Sequence, residues 1–485
     1  MDYNVQPLLQ ELRDAMQRPD GLLDKHEDLS RYETGARYGS GSACCVARPQ
    51  TASELQAVVR ACVRHDRPLV MQGANTGLVS ASTPNATGRQ VVVSTERLKS
   101  VLQIDAAGAT ARVSAGVLLS ELNRAAACHD LFFPIDLGAD PSLGGMAATN
   151  TGGTRLLRYG DVRQNILGLS AVLGNANADI IDLCSALRKN NSGIDLKQLF
   201  IGSGGTFGAI TELVVKLAPL PRQRATALVG LDRPADALLL HKLIYSHFPD
   251  FCSAFEGMSR EAMHAALSHV KTLSNPFQGP NGLPAYAVLV ELSCGIPVSD
   301  KLHLEELLTD VLGNQDCIEL NDAIIGRADD LWALRHSLSE GTRRLGKLVA
   351  LDISLPLKST FVFREEALAI LGERYPDAIL CDYGHIGDGG LHFNLVLPPL
   401  APGNDERTDC IRNDLYELVV RQHAGSFSAE HGVGPYNQAY YDRYTPASTS
   451  TLAGMLKQSL DPQRLFGNTN FGPPELGQKH TGQAA

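Results

Sequence analysis

Three glycine-rich segments fall in the first half of the chain: Gln72-Gly73-Ala74-Asn75-Thr76-Gly77-Leu78, Gly144-Gly145-Met146-Ala147-Ala148-Thr149-Asn150-Thr151-Gly152-Gly153 and Gly202-Ser203-Gly204-Gly205-Thr206-Phe207-Gly208. Glycine lets successive backbone N–H groups close on an anion, so such loops build concavities for phosphate. None has the G-x-G-x-x-G spacing of a dinucleotide fingerprint behind a strand, and no G-x-x-x-x-G-K-[ST] segment occurs. One such loop would read as a turn. Three, with Asn and Thr interspersed, point to a large phosphate-bearing cofactor held by some other frame.

The pattern around these loops alternates short strands and helices. An apolar strand near Cys44 to Ala47 precedes Thr51-Ala52-Ser53-Glu54, which has the spacing of a capping box. Leu55, Val58, Val59 and Cys62 then fall on one helical face, and Leu69-Val70-Met71 gives the next strand. Apolar runs from Ile166 and from Ile180 flank Gly174 to Asp179 as a hairpin. Leu217-Ala218-Pro219-Leu220-Pro221-Arg222 reads as a linker. Beyond it strands are expected at 286–292, 350–355, 379–383 and 392–397, with helices at 301–312, 329–345, 364–374 and 411–423. The fold class is α+β. Expected domains are a helical segment at 1–40, a cofactor domain at 41–220 and a substrate domain at 221–425. The last is an antiparallel sheet with helices on one face. A segment at 426–475 and a disordered tail at 476–485 follow.

Within the second half, His385 and His392 are separated by Gly387-Asp388-Gly389-Gly390, and Glu430-His431 follows some forty residues on. The glycines permit a reversal sharp enough to bring two strand-borne imidazoles together. His385, His392 and Glu430 then make a His₂Glu set, which suits a divalent ion with open positions, zinc foremost. His431 cannot easily bind the same ion from the neighbouring position, so it is the candidate base.

Composition bounds the alternatives. The 485 residues are 44% apolar and 20% charged, ordinary for a globular enzyme of two or three domains, and the formal net charge is −10. A negative surface disfavours nucleic acid as a partner. No signal peptide or stretch of about 18 apolar residues appears, so a cytoplasmic protein without a transmembrane segment is expected. The ten cysteines sit mostly singly in apolar runs, as buried reduced thiols.

Asn75-Thr76-Gly77-Leu78, Asn150-Thr151-Gly152-Gly153-Thr154-Arg155-Leu156-Leu157-Arg158-Tyr159-Gly160 and Ile201-Gly202-Ser203-Gly204-Gly205-Thr206-Phe207-Gly208 resemble the FAD-binding segments of the vanillyl-alcohol-oxidase-type flavoproteins. The second half is similar to the cap of their D-2-hydroxy-acid dehydrogenase branch, which covers D-2-hydroxyglutarate, D-lactate and glycolate dehydrogenases. The resemblance implies a two-subdomain FAD-binding domain and a cap, with FAD bound non-covalently. Gly73, Asn75, Thr76, Gly77 and Leu78 would line the pyrophosphate. Gly144, Gly145, Thr149, Gly152 and Gly153 would hold the middle of the cofactor, and Gly202, Thr206, Gly208 and Ile210 its adenine side.

It further implies oxidation of a D-2-hydroxy acid, with D-2-hydroxyglutarate and D-lactate leading. Electrons would pass to an electron-transfer flavoprotein or a quinone. A flavin oxidase using O₂ and a flavin-binding module without turnover stay open, as does a homodimer. Arg335, with Ser339 one turn on, would hold the substrate carboxylate, and Asn394 would reach the substrate beside His392. The sequence departs from the branch where a lysine is usual: Ala350, Asn437 and Asn470 stand there, and Gly204 replaces a frequent Glu. Lys347 is the nearest substitute for the first.

Overall fold

The computed structural model describes residues 5–279, 282–299, 301–316, 318–399 and 403–474, and the expected tail at 476–485 lies outside them. The chain forms two compact units. One comprises Met1–Gly152, Asp161–Pro219 and Glu430–Ala485; the other comprises Gly153–Gly160 and Leu220–Ala429. Among the described residues no helix is long and apolar enough to cross a membrane.

The first unit opens with helix Gln6–Asp14, which buries Leu8, Leu9 and Leu12. Strands Ala43–Ala47 and Leu69–Gln72, joined by helix Ala52–Arg64, both run parallel to Gln90–Ser94, which lies between them. Leu55, Val58, Val59 and Cys62 are fully buried, as their spacing requires. Thr51 caps this helix by accepting the Glu54 N–H at 3.1 Å. The other half of the expected box goes elsewhere. The buried Glu54 carboxylate accepts from the Gln50 and Gln17 N–H groups at 2.6 and 3.2 Å, satisfying donors just outside the helix.

A second sheet of this unit is antiparallel, in the order Leu102–Asp105, Thr110–Ser114, Ala209–Lys216, Ile166–Val172, Ile180–Asp182. The expected hairpin is its final pair, with Val172 opposite Ile180. Both sheets and their helices share one apolar core that includes Leu55, Val91, Val113, Leu169 and Leu213.

The second unit is built on an antiparallel sheet. Its order is Leu320–Gly326, Gln223–Leu231, Tyr286–Cys294, Cys252–Ser259, Tyr383–Gly384, Gly390–Leu397, Lys347–Ser354, with Ile379–Leu380 also paired to Gly390–Leu397. Helices Arg260–His269 and Ala328–Leu345 cover one face, where Ala254, Met258, Ala287, Leu289 and Tyr383 meet Ala262, Ala266, Leu334 and Leu338.

The other face is covered too, contrary to the one-sided expectation. Phe363 of helix Thr360–Arg374 packs on Phe393 with ring centroids 5.1 Å apart, and Phe393 alternates with His392 along its strand. The strand expected at 379–383 breaks in two because Asp382 is drawn into a buried ion pair with Arg364 at 2.9 and 3.1 Å. The last expected helix begins earlier, at Asn404. Of the described cysteines Cys128 and Cys410 are exposed, so burial does not hold for every thiol.

Candidate active site

The glycine loops of the first unit meet at helix Leu143–Thr149. The first follows strand Leu69–Gln72, and a Cβ on Gly73 would overlap the Ser142 hydroxyl, which caps helix Leu143–Thr149 in the second loop. That helix passes its carbonyls to the third loop: Ala147 and Ala148 accept from the Gly202 and Gly204 N–H groups at 2.9 and 2.7 Å. Asn75 adopts φ +55, with its amide donating to the Thr34 carbonyl at 2.8 Å and accepting from Ser82 at 3.1 Å. The Thr149 hydroxyl donates to the Gly145 carbonyl at 3.0 Å. Thr206 and Ile210 are buried within the packing of the third loop and its strand, whereas Gly77 is exposed.

Two of these glycines have opposite reasons to be glycine. At Gly144 a Cβ would sit 2.6 Å from the Ala115 Cβ, so protein fills the space. At Gly77 a Cβ would meet nothing nearer than the Ser82 hydroxyl at 3.9 Å. Internal packing does not demand glycine there, and the open space leaves room for the close approach of a ligand. In this respect the residues fit a pyrophosphate-bearing cofactor.

In the second unit His392 and Asn394 share a single sheet face with Asp352 and Tyr383. Asp352 is registered with His392, Ala350 with Asn394, and Tyr383 with His392, so period-two alternation turns all of them toward helix Ala328–Leu345. The reversal after Tyr383–Gly384 closes with the Gly390 N–H donating to the His385 carbonyl at 3.2 Å and to Asp388 Oδ1 at 2.8 Å. Gly389, at φ +87, lies too close to the Leu355 carbonyl for any side chain. The rings of His385 and His392 come to 5.7 Å. His392 Nδ1 is 3.6 Å from Asp352 Oδ1.

Arg335 arrives from the helix above and is buried. Its Nε donates to Glu256 Oε2 at 2.9 Å, its Nη2 lies 2.8 Å from the same oxygen in an ion pair, and its guanidinium lies 5.1 Å from the Tyr383 ring centre. Glu256 Oε1 accepts from His385 Nδ1 at 2.6 Å. Burial pushes the Glu256 carboxyl up, but His385 and Arg335 outweigh it and hold it at about 2. Lys347 does not substitute for a lysine at 350. It occupies the opposite strand face, and its ammonium pairs with Asp405 at 2.9 Å.

Glu430 and His431 follow directly on Ala429, whose N–H donates to the Asp352 carbonyl at 3.1 Å after Ser426 and Ser354 exchange backbone bonds at 2.8 and 3.2 Å. Within the second unit the His385 and His392 rings face one another and Asp352 stands beside His392, while Glu430 and His431 open the last segment of the first unit. The expected set of His385, His392 and Glu430 has the two-imidazole, one-carboxylate chemistry of a catalytic divalent-ion site, so these residue types fit an ion. Asn437 and Asn470 serve their own backbone neighbourhoods: Asn437 donates to the Gly432 carbonyl at 3.0 Å and Asn470 accepts from the Gly472 N–H at 2.9 Å.

Residues 43–183 match the FAD binding domain family, and residues 220–470 match the C-terminal domain of FAD linked oxidases. The chain belongs to the FAD-linked oxidases. Its relatives include a mitochondrial D-2-hydroxyglutarate dehydrogenase from Rattus norvegicus, 34% identical over 86% of this chain and 76% of the relative. A D-2-hydroxyglutarate dehydrogenase from Xanthomonas citri is 30% identical over 92% of this chain and 93% of its own length. Among solved structures, p-cresol methylhydroxylase superposes with a TM-score of 0.72 at 16% identity, covering 96% of each chain. Alkyldihydroxyacetonephosphate synthase also gives 0.72, over 97% of this chain and 86% of that one. This FAD-linked oxidase therefore has the vanillyl-alcohol-oxidase-type fold and is an oxidoreductase.

Two residues of the site were not legible as site residues. Glu256 sits in Ala254-Phe255-Glu256-Gly257-Met258, an otherwise apolar strand, and a lone carboxylate there has to be paired. That signal exists, but it does not name the partner. Asp352 lies in Val349-Ala350-Leu351-Asp352-Ile353, and only the strand register shows it beside His392.

Proposed function

We propose that this FAD-linked oxidase dehydrogenates a D-2-hydroxy acid to the 2-oxo acid with the help of a divalent ion held by His385, His392 and Glu430. The observation that supports this reading is the pairing of His385 with His392, ring centres 5.7 Å apart, beside the sheet face that also carries Asn394 and faces Arg335. FAD, when bound, accepts the two electrons of the substrate C–H bond. An ion, zinc foremost, would lower the pKa of the substrate hydroxyl by Lewis-acid action.

The chain's own groups do the rest. His431 takes the hydroxyl proton. Arg335 meets the carboxylate through Nη1, which has no hydrogen-bond partner among the described residues. Ser339, one turn along the helix, and the Asn394 amide add hydrogen bonds to the same acid. Electrons leave to an electron-transfer flavoprotein or a quinone rather than to O₂.

The relatives named above act, by their names, on D-2-hydroxyglutarate. A second reading is favoured by Ala350, which offers a methyl beside Asn394 where an ammonium would serve a second carboxylate. On charge, that favours an acid with one carboxylate, such as D-lactate. A panel of D- and L-2-hydroxy acids with a quinone dye tests both readings. Turnover with D acids alone is expected, and Ala350→Lys should raise the kcat/KM ratio of D-2-hydroxyglutarate to D-lactate. No turnover with any member of the panel would remove the dehydrogenase reading. An unchanged ratio in the variant would remove the role given to position 350.

A further inference from the structure

Glu256 divides its two oxygens between groups with different tasks. It is fully buried on strand Cys252–Ser259, with Oε1 on His385 Nδ1 at 2.6 Å and Oε2 on Arg335 Nε and Nη2 at 2.9 and 2.8 Å. We propose that Glu256 is a positioning residue that fixes His385 and Arg335 as one unit, setting the proton on the imidazole and the aim of the guanidinium together. The inference rests on the reading of His385 as an ion ligand and of Arg335 as the carboxylate clamp.

The chemistry follows from what a carboxylate can accept. With Nδ1–H held by an anion, His385 presents the Nε2 lone pair, and the anion makes that nitrogen a better donor to a cation. The guanidinium is planar and rigid, so pinning its Nε and Nη2 corner aims the Nη1 corner. Two groups that must meet one small substrate at a fixed separation are thus referenced to a single side chain.

The same sheet face supplies a control. Glu291 is also buried, and it bonds to Ser253 at 2.9 Å and to Trp332 Nε1 at 2.9 Å but to neither His385 nor Arg335. A purely structural effect of losing a buried carboxylate should appear at both positions; a positioning effect should appear only at Glu256.

The test uses full-length holoenzyme with Glu256→Gln, the shorter but charged Glu256→Asp, and Glu291→Gln. Zinc affinity is read by competition with a chromogenic chelator. Glu256→Gln should weaken it about 10–100-fold, the usual effect of removing such a partner. KM for the acid should rise while the flavin spectrum stays as in wild type, Glu256→Asp should recover part of both losses, and Glu291→Gln should change neither. A second readout needs no ion: in metal-free, ¹⁵N-histidine-labelled protein a strongly downfield, slowly exchanging imidazole N–H should be present, vanish in His385→Gln, and be lost in Glu256→Gln. If that resonance is present while wild type takes up no zinc, the ion reading fails and the positioning role stands. Absence of the resonance from wild type, or zinc affinity and KM unchanged in Glu256→Gln, overturns the inference.

Discussion

At the scale of the residue, the candidate site depends on which nitrogen or oxygen faces which neighbour. His431 directly follows the proposed ligand Glu430, so it cannot easily share the ion and is the imidazole left to act as a base. His431→Ala should leave the bound-flavin spectrum intact and lower the rate of anaerobic flavin reduction by substrate about 10²–10⁴-fold. Reduction at close to the wild-type rate would take the proton away from His431. His385 and His392 were legible in the sequence because a glycine turn leaves few ways to arrange the strands on either side of it. Glu256 was not. It lies 129 positions from His385, and a carboxylate in an apolar run announces that it has a partner without saying which.

At the scale of the element, the glycines of the cofactor loops separate packing from binding. Gly144→Ala pushes a Cβ against Ala115, and overpacking of this kind typically costs about 1–3 kcal/mol, so the flavin-free protein should melt earlier. Gly77→Ala meets open space. It should leave flavin-free stability within about 0.5 kcal/mol and weaken FAD binding instead. Thermal melts of the stripped proteins beside FAD titrations check both, and a Gly77→Ala variant that binds FAD as wild type does would detach that loop from the cofactor. Helix and strand periodicity made most of these elements visible in advance, including the face carried by Leu55, Val58, Val59 and Cys62. The break at Asp382 was hidden because its cause is an ion pair with Arg364, a partner on another element. Cover on both sheet faces was hidden for a like reason: Phe363 lies on a helix of weak amphipathic pattern, and only the contact with Phe393 shows which face it takes.

At the scale of the whole molecule, local patterning was enough for an α+β chain with a linker near residue 220, but strand order was beyond it. Leu320–Gly326 and Lys347–Ser354 are near in sequence and lie at opposite edges of one sheet, because pairing is decided by contacts distant along the chain. The same limit hid the placement of Asp352 beside His392, which follows only from that register. The family was legible from three loops and two histidine motifs taken together, and the match over residues 43–183 and 220–470 agrees with it. The central claim is that a flavin and an ion held by His385, His392 and Glu430 serve one reaction on a D-2-hydroxy acid. Its most direct test is anaerobic bleaching of the bound flavin by D-lactate and D-2-hydroxyglutarate, before chelation, after it, and after zinc is returned. The account predicts bleaching by a D acid, its loss on chelation with the flavin still bound, and its recovery with zinc; bleaching that is indifferent to the ion would contradict it.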